Sequence, residues 1–230
     1  MKNKVELLGY YGSDKIIAQS AWTSTTRDLT PEKLERVPAL INQLWNAGHE
    51  TPFEKGMVHF LVDTDIASHI HLLKHRISSF NGESARYKEL KEDKYYIPED
   101  WNNIKLNPTV IQDLENGLDW TKVDYNATWD EVLFRYNELG NHLYHEALKD
   151  LTPVLGRKRA KESARYFKTY ASQIQGDVSF NMRSFANFIN LRKSEHAQLE
   201  IREVANEMLE LVKAIPDNPF EHTLKAMGYE

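Results

Sequence analysis

Apolar side chains recur at helical spacing over residues 31–47. Thr30 and Pro31 form a typical helix start, Gly48 forms a stop, and the apolar positions between them fall on one face: Leu34, Val37, Leu40, Ile41 and Leu44. Such a stripe, with a capping residue before Pro and a Gly after the last apolar position, is typical of an amphipathic helix. The sequence therefore predicts a helix over 31–47.

The same patterns predict the remaining elements. Further helices are predicted at 66–75, 126–149, 156–165, 182–193 and 196–214, and the apolar runs at 57–62 and 170–180 are predicted to be strands. SSFNGES, residues 78–84, has the small, turn-forming residues of a loop, and residues 98–108 are also rich in turn formers. This succession indicates a mixed fold of the α+β class.

Length and composition fit a single domain over residues 1–230. Of the 230 residues, 41% are hydrophobic and 11% aromatic, which is enough for one sizeable core. A charged fraction of 27% and a net charge of -5 argue against general attraction to a nucleic-acid polymer or an acidic membrane surface. Because no apolar run has the length of a signal peptide or a membrane span, we expect a cytoplasmic protein with no membrane contact.

Missing residue types and motifs exclude several chemistries. The chain has no cysteine, which excludes disulfides, thiolate metal sites and every mechanism that needs a thiol nucleophile. Its 10 glycines form neither GxGxxG nor GxxxxGK[ST], so the sequence contains neither a Rossmann fingerprint nor a Walker-type phosphate loop. Any nucleotide must be held by other means.

The densest group of polar residues lies in HLLKHRISSFNGESARY, residues 71–87. Basic side chains surround a loop of hydroxyl and amide groups: Lys74, His75, Arg76 and Arg86 with Ser79, Asn81 and Ser84. Guanidinium groups give charge-assisted hydrogen bonds to phosphate, and loop amides and hydroxyls add donors, so the segment suits a phosphorylated ligand. The alternative is a solvated basic helix end, because cations are favoured at helix C-termini.

A second polar group lies in NMRSFANFINLRKSEH, residues 181–196. Arg183 and Asn187 lie one helical turn apart, as do Arg192 and His196. Interleaved with large apolar residues, these groups suit a partly buried polar site. The alternative is the ordinary polar face of an amphipathic helix.

Two shorter segments add candidates. HETPFE, residues 49–54, offers acid, base and hydroxyl groups near a turn through His49, Thr51 and Glu54. Arg165, in the basic run GRKRAKESAR, is a further candidate phosphate contact. The alternatives are a capped turn and a solvated basic face.

Four histidines within 17 residues raise the alternative of a metal site. They are His59, His69, His71 and His75. On a helix over 66–75, His71 and His75 share a face, whereas His69 and His71 do not. HExxH is absent and that helix has no carboxylate to complete a site, so we expect no metal.

KHRISSFNGESARY, residues 74–87, resembles the signature RHRxxSxNxxSxRY of the flavin-dependent thymidylate synthases. Seven of the eight fixed positions agree, and Lys74 stands where the signature has Arg. Segments similar to GHETPFE and NxRSxxNFxxLRxxxHAQ lie before and after the signature in that family, so the resemblance covers about 24–200. It implies the thymidylate synthase-complementing protein fold, a single mixed domain with long helices packed on a small antiparallel sheet.

The resemblance also implies the ligand contacts. For FAD they are Ser24, Thr51, Lys74, His75, Arg76, Ile77, Asn181, Arg183 and Asn187. For deoxyuridylate (dUMP) they are His71, Lys74, Gly82, Glu83, Ser84, Ala85, Arg86, Arg165 and Arg192. His49 and Tyr87 are implied neighbours of the folate. Arg192 is the implied catalytic residue, because its family equivalent orients the pyrimidine and favours ionisation at N3.

The implied activity is the reductive methylation of dUMP to thymidylate (dTMP). In the family, methylenetetrahydrofolate donates the carbon, NADPH reduces FAD, and the enzyme uses no thiol nucleophile, which fits a chain without cysteine. The family works as a homotetramer with active sites shared between subunits.

Three positions depart from the family pattern. Lys74 gives a point charge where Arg would give a planar two-pronged donor. Gly82 stands where Glu is frequent, and His71 stands where Gln is common, although His can still donate a hydrogen bond. We expect these departures to affect ligand geometry more than the reaction.

Two other functions remain alternatives to the flavin enzyme. One is a non-catalytic nucleotide-binding or regulatory protein that binds dUMP without turnover. The other is a metal hydrolase, which chelators would inhibit. Flavin absorbance and thymidylate formation distinguish the flavin enzyme from both.

Overall fold

The described part of the chain falls into two compact units. The computed structural model describes residues 2–108, 110–111 and 127–229. The larger unit comprises Asn3–Asp63, Ser68–Gly82 and Gln175–Glu230, and the smaller unit comprises Met1–Lys2, Thr64–Ala67 and Glu83–Ile174, in each case within the described residues. The expectation of a single domain over residues 1–230 stays a prediction.

A four-stranded antiparallel sheet runs through the fold. Its strands are β1 Lys4–Tyr11, β2 Met57–Asp65, β3 Ser79–Gly82 and β4 Gln173–Asn181, in the order β1-β2-β4-β3. Val5 pairs with Val62 at one edge, and Ser79 pairs with Ser179 at the other. The strands predicted at 57–62 and 170–180 are confirmed as β2 and β4.

Helices account for much of the remaining described chain. In chain order they are α1 Asp14–Trp22, α2 Pro31–Glu35, α3 Val37–Asn46, α4 Ile66–Leu73, α5 Trp129–Leu155, α6 Arg157–Ala164, α7 Met182–Arg192, α8 Leu199–Lys213 and α9 Glu221–Ala226. Short 3-10 helices lie at Thr51–Lys55, Glu99–Trp101 and Arg165–Phe167. The expected mixture of long helices and a small antiparallel sheet is confirmed. Over the described residues, no helix combines the length and apolar character needed to cross a bilayer.

Two predicted elements differ from the structure in ways that have a physical cause. The helix predicted over 31–47 is divided into α2 and α3 at Arg36, because Pro38 has no N–H to continue the helical hydrogen bonds. The loop predicted over 78–84 is wrong for its central residues, which form β3 along the edge of β4. Strand pairing there overrides the turn preferences of Asn81 and Gly82.

Helix α5 also differs from its prediction over 126–149. It begins at Trp129, where the backbone N–H of Thr128 donates to the Glu131 carboxylate as in a capping box. It continues through Pro153 and ends at Leu155. Residue 126 lies outside the described residues.

The core of the larger unit is built on one face of the sheet. Val58, Phe60 and Val62 of β2 alternate inward, as do Val178 and Phe180 of β4. Large side chains of other elements complete this core with no exposed surface: Phe53, Phe185, Phe188 and Phe220. Helices α7 and α8 pack on each other. The buried phenylalanines of α7 hold that helix against the core.

Gly176 of β4 gives β3 and α4 room to approach the sheet. A Cβ atom at this position would lie 2.6 Å from Cε1 of His69 and 2.7 Å from Cζ of Phe80. The two rings contact each other edge to face, with centroids 5.7 Å apart. A side chain on residue 176 would therefore displace the strand that follows the Lys74–Ile77 turn.

We predict that Gly176→Ala lowers the free energy of unfolding by about 1–3 kcal/mol, the usual cost of overpacking a core. Gly9→Ala is the matched control, because Gly9 lies in the same sheet and a Cβ there meets no atom within 4 Å. Chemical and thermal unfolding of both variants measures the difference. Equal stability of the two variants would contradict this account of β3.

Candidate functional site

An open pocket in the larger unit joins segments that are distant in the sequence. It has a volume of about 550 Å³ and lies where the turn after α4 meets α7. Its lining residues are Trp45, Glu50, Lys74, His75, Arg76, Ile77, Arg183, Ser184, Asn187, Asn190, Leu191 and Arg192. We call this the cationic pocket, because it gathers one lysine and three arginines beside a single carboxylate.

The end of α4 presents the first group of lining residues. The N–H groups of Lys74 and His75 bond back to the carbonyls of His71 and Leu72, which tightens the last turn and ends the helix. The Ser78 hydroxyl donates to the His75 carbonyl over 2.6 Å and closes the turn that follows. Lys74 and Arg76 are exposed as a result, and Ile77 is 68% exposed.

Helix α7 presents the second group. The Asn181 side chain accepts a hydrogen bond from the Ser184 N–H over 2.8 Å and caps the helix N-terminus. One face of the helix is buried in the core through Phe185 and Phe188. Pocket-lining residues recur along the rest of the helix at intervals of three or four residues: Arg183, Asn187, Asn190 and Leu191.

A hydrogen bond links the two groups. Nε of Arg192, at the end of α7, donates to Nε2 of His75 over 2.9 Å. Since Nε2 is the acceptor, the neutral imidazole carries its proton on Nδ1. The His75 ring rests edge to face on Phe188, with centroids 4.9 Å apart.

The environment keeps His75 neutral. Burial lowers the pKa of His75 to about 4, and the positive charge of Arg192 and the nearby His71 act in the same direction. A protonated His75 could not accept from Arg192. The low pKa therefore preserves the hydrogen bond between them near neutral pH.

Arg183 is held by two carboxylates. Its Nε lies 2.7 Å from Oε2 of Glu50, and its Nη1 lies 2.8 Å from Oε1 of Glu54, at the 3-10 helix Thr51–Lys55. The hydrogen bond to Glu54 is the main cause that raises the pKa of Arg183, and Glu50 adds to it. These contacts fix the guanidinium in place and offset its charge.

The remaining cations leave the pocket electropositive. Among the described residues, neither the Lys74 ammonium nor the Arg76 guanidinium has a protein hydrogen bond or ion pair. Within the same residues, the two Nη groups of Arg192 form no protein hydrogen bond either. Such groups bind phosphate oxygens through charge-assisted hydrogen bonds. The pocket is therefore suited to an anionic ligand with several oxygen acceptors.

The structure brings together most, but not all, of the residues expected to contact FAD. The pocket is lined by Lys74, His75, Arg76, Ile77, Arg183 and Asn187, together with the expected catalytic Arg192. Asn181 caps α7, and the Ser24 hydroxyl donates to the Ala21 carbonyl over 3.1 Å. Thr51 begins a 3-10 helix and does not line the pocket.

Some expected dUMP and folate residues of the larger unit lie outside the pocket lining. Nε2 of His71, on α4, is 3.2 Å from Oε1 of Gln198. Gly82 ends β3, and His49 is exposed after α3. None of the three is among the lining residues.

The other residues expected to bind dUMP or folate lie in the smaller unit. Nε of Arg86 is 2.7 Å from Oε1 of Glu162 on α6, and Nζ of Lys161 donates to the Tyr87 carbonyl over 2.7 Å. Arg165 is exposed in the 3-10 helix after α6. Glu83, Ser84 and Ala85 precede Arg86, with Glu83 2.5 Å from Nζ of Lys88.

Sequence reasoning missed part of the pocket lining. The missed residues are Trp45, Glu50, Ser184, Asn190 and Leu191. Asn190 and Leu191 follow Asn187 at helical spacing, and that periodicity could have found them. Tertiary packing brings Trp45 and Glu50 into the pocket lining, and the local sequence contains no pattern that predicts this.

The histidines considered as metal ligands have other contacts in the structure. Nε2 of His59 is 2.6 Å from Oδ1 of Asp177 across neighbouring strands, and the His69 ring is buried against Phe80. Over residues 2–108, 110–111 and 127–229, no three His, Cys, Asp or Glu side chains are grouped so as to hold a metal ion.

Comparison with known proteins places the chain in a family. The family described as "Thymidylate synthase complementing protein" matches residues 6–216. A protein of Thermosipho africanus named flavin-dependent thymidylate synthase is 33% identical over 225 residues, which cover 97% of this chain and 92% of that protein. One of Pseudothermotoga lettingae with the same name is 32% identical, covering 92% and 85%.

A solved structure agrees with these matches. The UMP/dUMP methylase PolB from Streptomyces cacaoi, bound with 5-Br dUMP, superposes with a TM-score of 0.72 at 25% sequence identity. The alignment covers 99% of this chain and 95% of that one. The resemblance in the signature segment is thus confirmed over nearly the whole length, and the chain belongs to the thymidylate synthase complementing protein family, whose relatives are flavin-dependent thymidylate synthases.

Proposed function

We propose that this protein is a flavin-dependent thymidylate synthase. It methylates dUMP to dTMP with methylenetetrahydrofolate as carbon donor and NADPH-reduced FAD as hydride source. The observation that carries the proposal is the cationic pocket, in which the turn Lys74–Ile77 meets Arg183, Asn187 and Arg192 in a member of this family.

The chemistry of the pocket fits FAD. Lys74 and Arg76 have no counter-ion among the described residues, and such groups match the oxygens of a pyrophosphate. The Asn187 amide can both donate and accept, which suits a ring edge. A volume of about 550 Å³ lies within the usual range of ligand pockets. When bound, the flavin supplies the hydride chemistry that amino-acid side chains lack.

Arg192 is the proposed catalytic residue. Its guanidinium stays protonated and can stabilise negative charge that develops on the pyrimidine. Neutral His75 accepts from Nε, so the planar group is oriented by the protein and keeps both Nη groups for ligand oxygens. We assign Ser24, Thr51 and Asn181 to FAD on the family resemblance, outside the pocket lining.

The dUMP assignment extends to other segments of the chain. It comprises His71, Lys74, Gly82, Glu83, Ser84, Ala85, Arg86 and Arg165 with Arg192, and the folate contacts are His49 and Tyr87. Arg86, which contacts Glu162 through Nε alone and is 46% exposed, and the exposed Arg165 are suited to the phosphate of dUMP. Because the chain has no cysteine, methylation proceeds without an enzyme thiol attached to the pyrimidine.

The proposal includes an assembly and a location. We propose a homotetramer in the cytoplasm whose active sites are shared between subunits. The family resemblance supports both, and the net charge of -5 fits small-molecule substrates rather than a nucleic-acid polymer or membrane surface.

We predict that the purified protein has a flavin absorbance spectrum that changes on addition of dUMP. With methylenetetrahydrofolate and NADPH, it should convert dUMP to dTMP. A protein that stays colourless and inert after FAD is added would overturn the proposal. Binding of dUMP without turnover, with Arg192 intact, would favour the non-catalytic nucleotide-binding alternative.

We predict that Arg192→Ala lowers kcat by roughly 100-fold or more, the scale of losing a donor that stabilises developing charge. Flavin content should change little, because Lys74 and Arg76, which have no counter-ion within the described part of the chain, remain. Lys193→Ala is the matched control, since Lys193 is the next residue and lies outside the pocket lining. Equal loss of flavin and turnover in Arg192→Ala would mean that its role is misassigned.

We predict that His75 titrates near pH 4 in the folded protein, as histidine NMR signals would report. Arg192→Met should raise this pKa toward the ordinary value of 6.5, because a neighbouring positive charge is removed. Lys193→Met should leave it unchanged.

The same shift has a consequence for stability. The pKa of His75 is lower in the folded than in the unfolded protein, so its contribution to stability is present above pH 6.5 and lost as the pH falls through about 4. A pKa of His75 near 6.5 in the unaltered protein would contradict the buried, neutral imidazole.

A further inference from the structure

Helix α5 carries a buried polar stripe within the smaller unit. Asn137, Gly140, Asn141 and Tyr144 are buried and recur at helical spacing along one face, and the partly exposed His145 lies beside them. Asn137 is 2% exposed, Asn141 is 7% exposed, and Tyr144 is fully buried. Polar groups at this depth need partners. Nδ2 of Asn137 donates to the Leu133 carbonyl of the same helix, and the other partners come from two separate stretches of chain.

The first stretch follows Arg86 and Tyr87. The Leu90 N–H donates to the Tyr144 hydroxyl over 3.0 Å, and Nδ2 of Asn141 donates to the Asp93 carbonyl over 3.2 Å. The Asp93 carboxylate lies 2.8 Å from Nε2 of His145. Three contacts therefore fasten the chain that leaves Arg86 onto α5.

The second stretch follows Arg165. The Phe167 carbonyl approaches Gly140 so closely that a Cβ there would lie 2.6 Å from the carbonyl oxygen. The Thr169 hydroxyl donates to Oδ1 of Asn137. The chain that carries Arg165 is therefore fastened to the same face of α5.

One ion pair joins the two stretches directly. Nζ of Lys168 lies 2.7 Å from Oδ1 of Asp93 and 2.7 Å from Oδ1 of Asn141, and over the Tyr144 ring at 4.6 Å from its centroid. The Lys168 side chain is only 5% exposed. A buried charge removed from its partner is strongly unfavourable, so this pair adds a side-chain link to the backbone hydrogen bonds that join the two stretches, from the Tyr96 N–H to the Ala171 carbonyl and from the Gln173 N–H to the Lys94 carbonyl.

The charge state of Asp93 agrees with this arrangement. Burial acts to raise the pKa of Asp93, but the hydrogen bonds from Lys168 and His145 outweigh it and hold the pKa below its usual range. The carboxylate is therefore ionised near neutral pH. Its backbone has φ 49°, a conformation that Asp and Asn tolerate better than other side chains.

We propose that Lys168 and Asp93 are positioning residues of the dUMP site. Together with the backbone hydrogen bonds between the two stretches, their ion pair holds the stretch that begins with Ser84–Arg86 and the stretch that begins with Arg165 at a fixed separation, so that both guanidinium groups can bind one phosphate. The inference rests on the proposed function, which assigns those residues to dUMP. Neither Lys168 nor Asp93 touches the nucleotide in this account.

The test compares dUMP binding by the FAD-loaded, full-length protein and its variants in calorimetry. Asp93→Asn tolerates the same backbone conformation, removes the charge and replaces one acceptor oxygen with an NH2 donor, and Lys168→Met keeps most of the side-chain stem. Each should weaken dUMP binding about tenfold and raise KM for dUMP more than it lowers kcat, because misplaced groups lose optimal contact. Flavin content should stay unchanged.

The double variant separates positioning from general damage. If both residues act through one pair, Asp93→Asn with Lys168→Met should bind dUMP no more weakly than the weaker single variant. Lys149→Met is the matched control, because Lys149 forms an exposed 3.8 Å pair with Glu146 on the same helix. It should bind dUMP like the unaltered protein.

The possible outcomes distinguish a failure of this inference from a failure of the proposed function. Unaltered protein that fails to bind dUMP overturns the proposed function and the inference together. Tight binding by the unaltered protein and by both single variants overturns the inference alone. So does a loss of flavin content that parallels the loss of dUMP binding, because the pair would then support the whole fold.

Discussion

The hydrogen bond from Nε of Arg192 to Nε2 of His75 sets the orientation of the Arg192 guanidinium in the cationic pocket. It joins the turn after α4 to the last residue of α7, so that two segments far apart in the chain share one cavity. The bond requires a neutral imidazole, and burial beside Phe188 with a guanidinium nearby lowers the pKa enough to ensure it. The hydrophobic core therefore determines the protonation state of His75, and through it the orientation of Arg192.

The second constraint is the crowding of like charges. Lys74, Arg76, Arg183 and Arg192 line one cavity, and their mutual repulsion must be offset. Glu50 and Glu54 do so for Arg183. The neutrality of His75 avoids a further charge. The remaining net positive charge of the pocket can be neutralised by an anionic ligand, and a phosphorylated nucleotide is such a ligand.

Much of the fold follows from local periodicity, and the exceptions have tertiary causes. Helix α7 and the exposed positions of its polar face are predictable from the spacing of Arg183, Asn187 and Phe188. β3 is not, because its Ser, Asn and Gly residues favour a loop until β4 supplies hydrogen bonds. Likewise, the sequence alone cannot pair Arg183 with Glu50, since only the folded chain brings α7 to the 3-10 helix. The roles of individual site residues stay predictions.

Lys168 and Lys74 differ in their contacts with the protein, and this difference distinguishes a structural role from a proposed binding role. Lys168 is 5% exposed and is surrounded by Asp93, Asn141 and the face of Tyr144. The protein already satisfies its charge, so it has little capacity to attract a ligand. Lys74 is exposed, and over the described residues it has no protein acceptor. An ammonium left in this state stays hydrated until an anion replaces its water. This free capacity supports the proposal that Lys74 binds a ligand, although Lys74 lacks the planar fork of arginine.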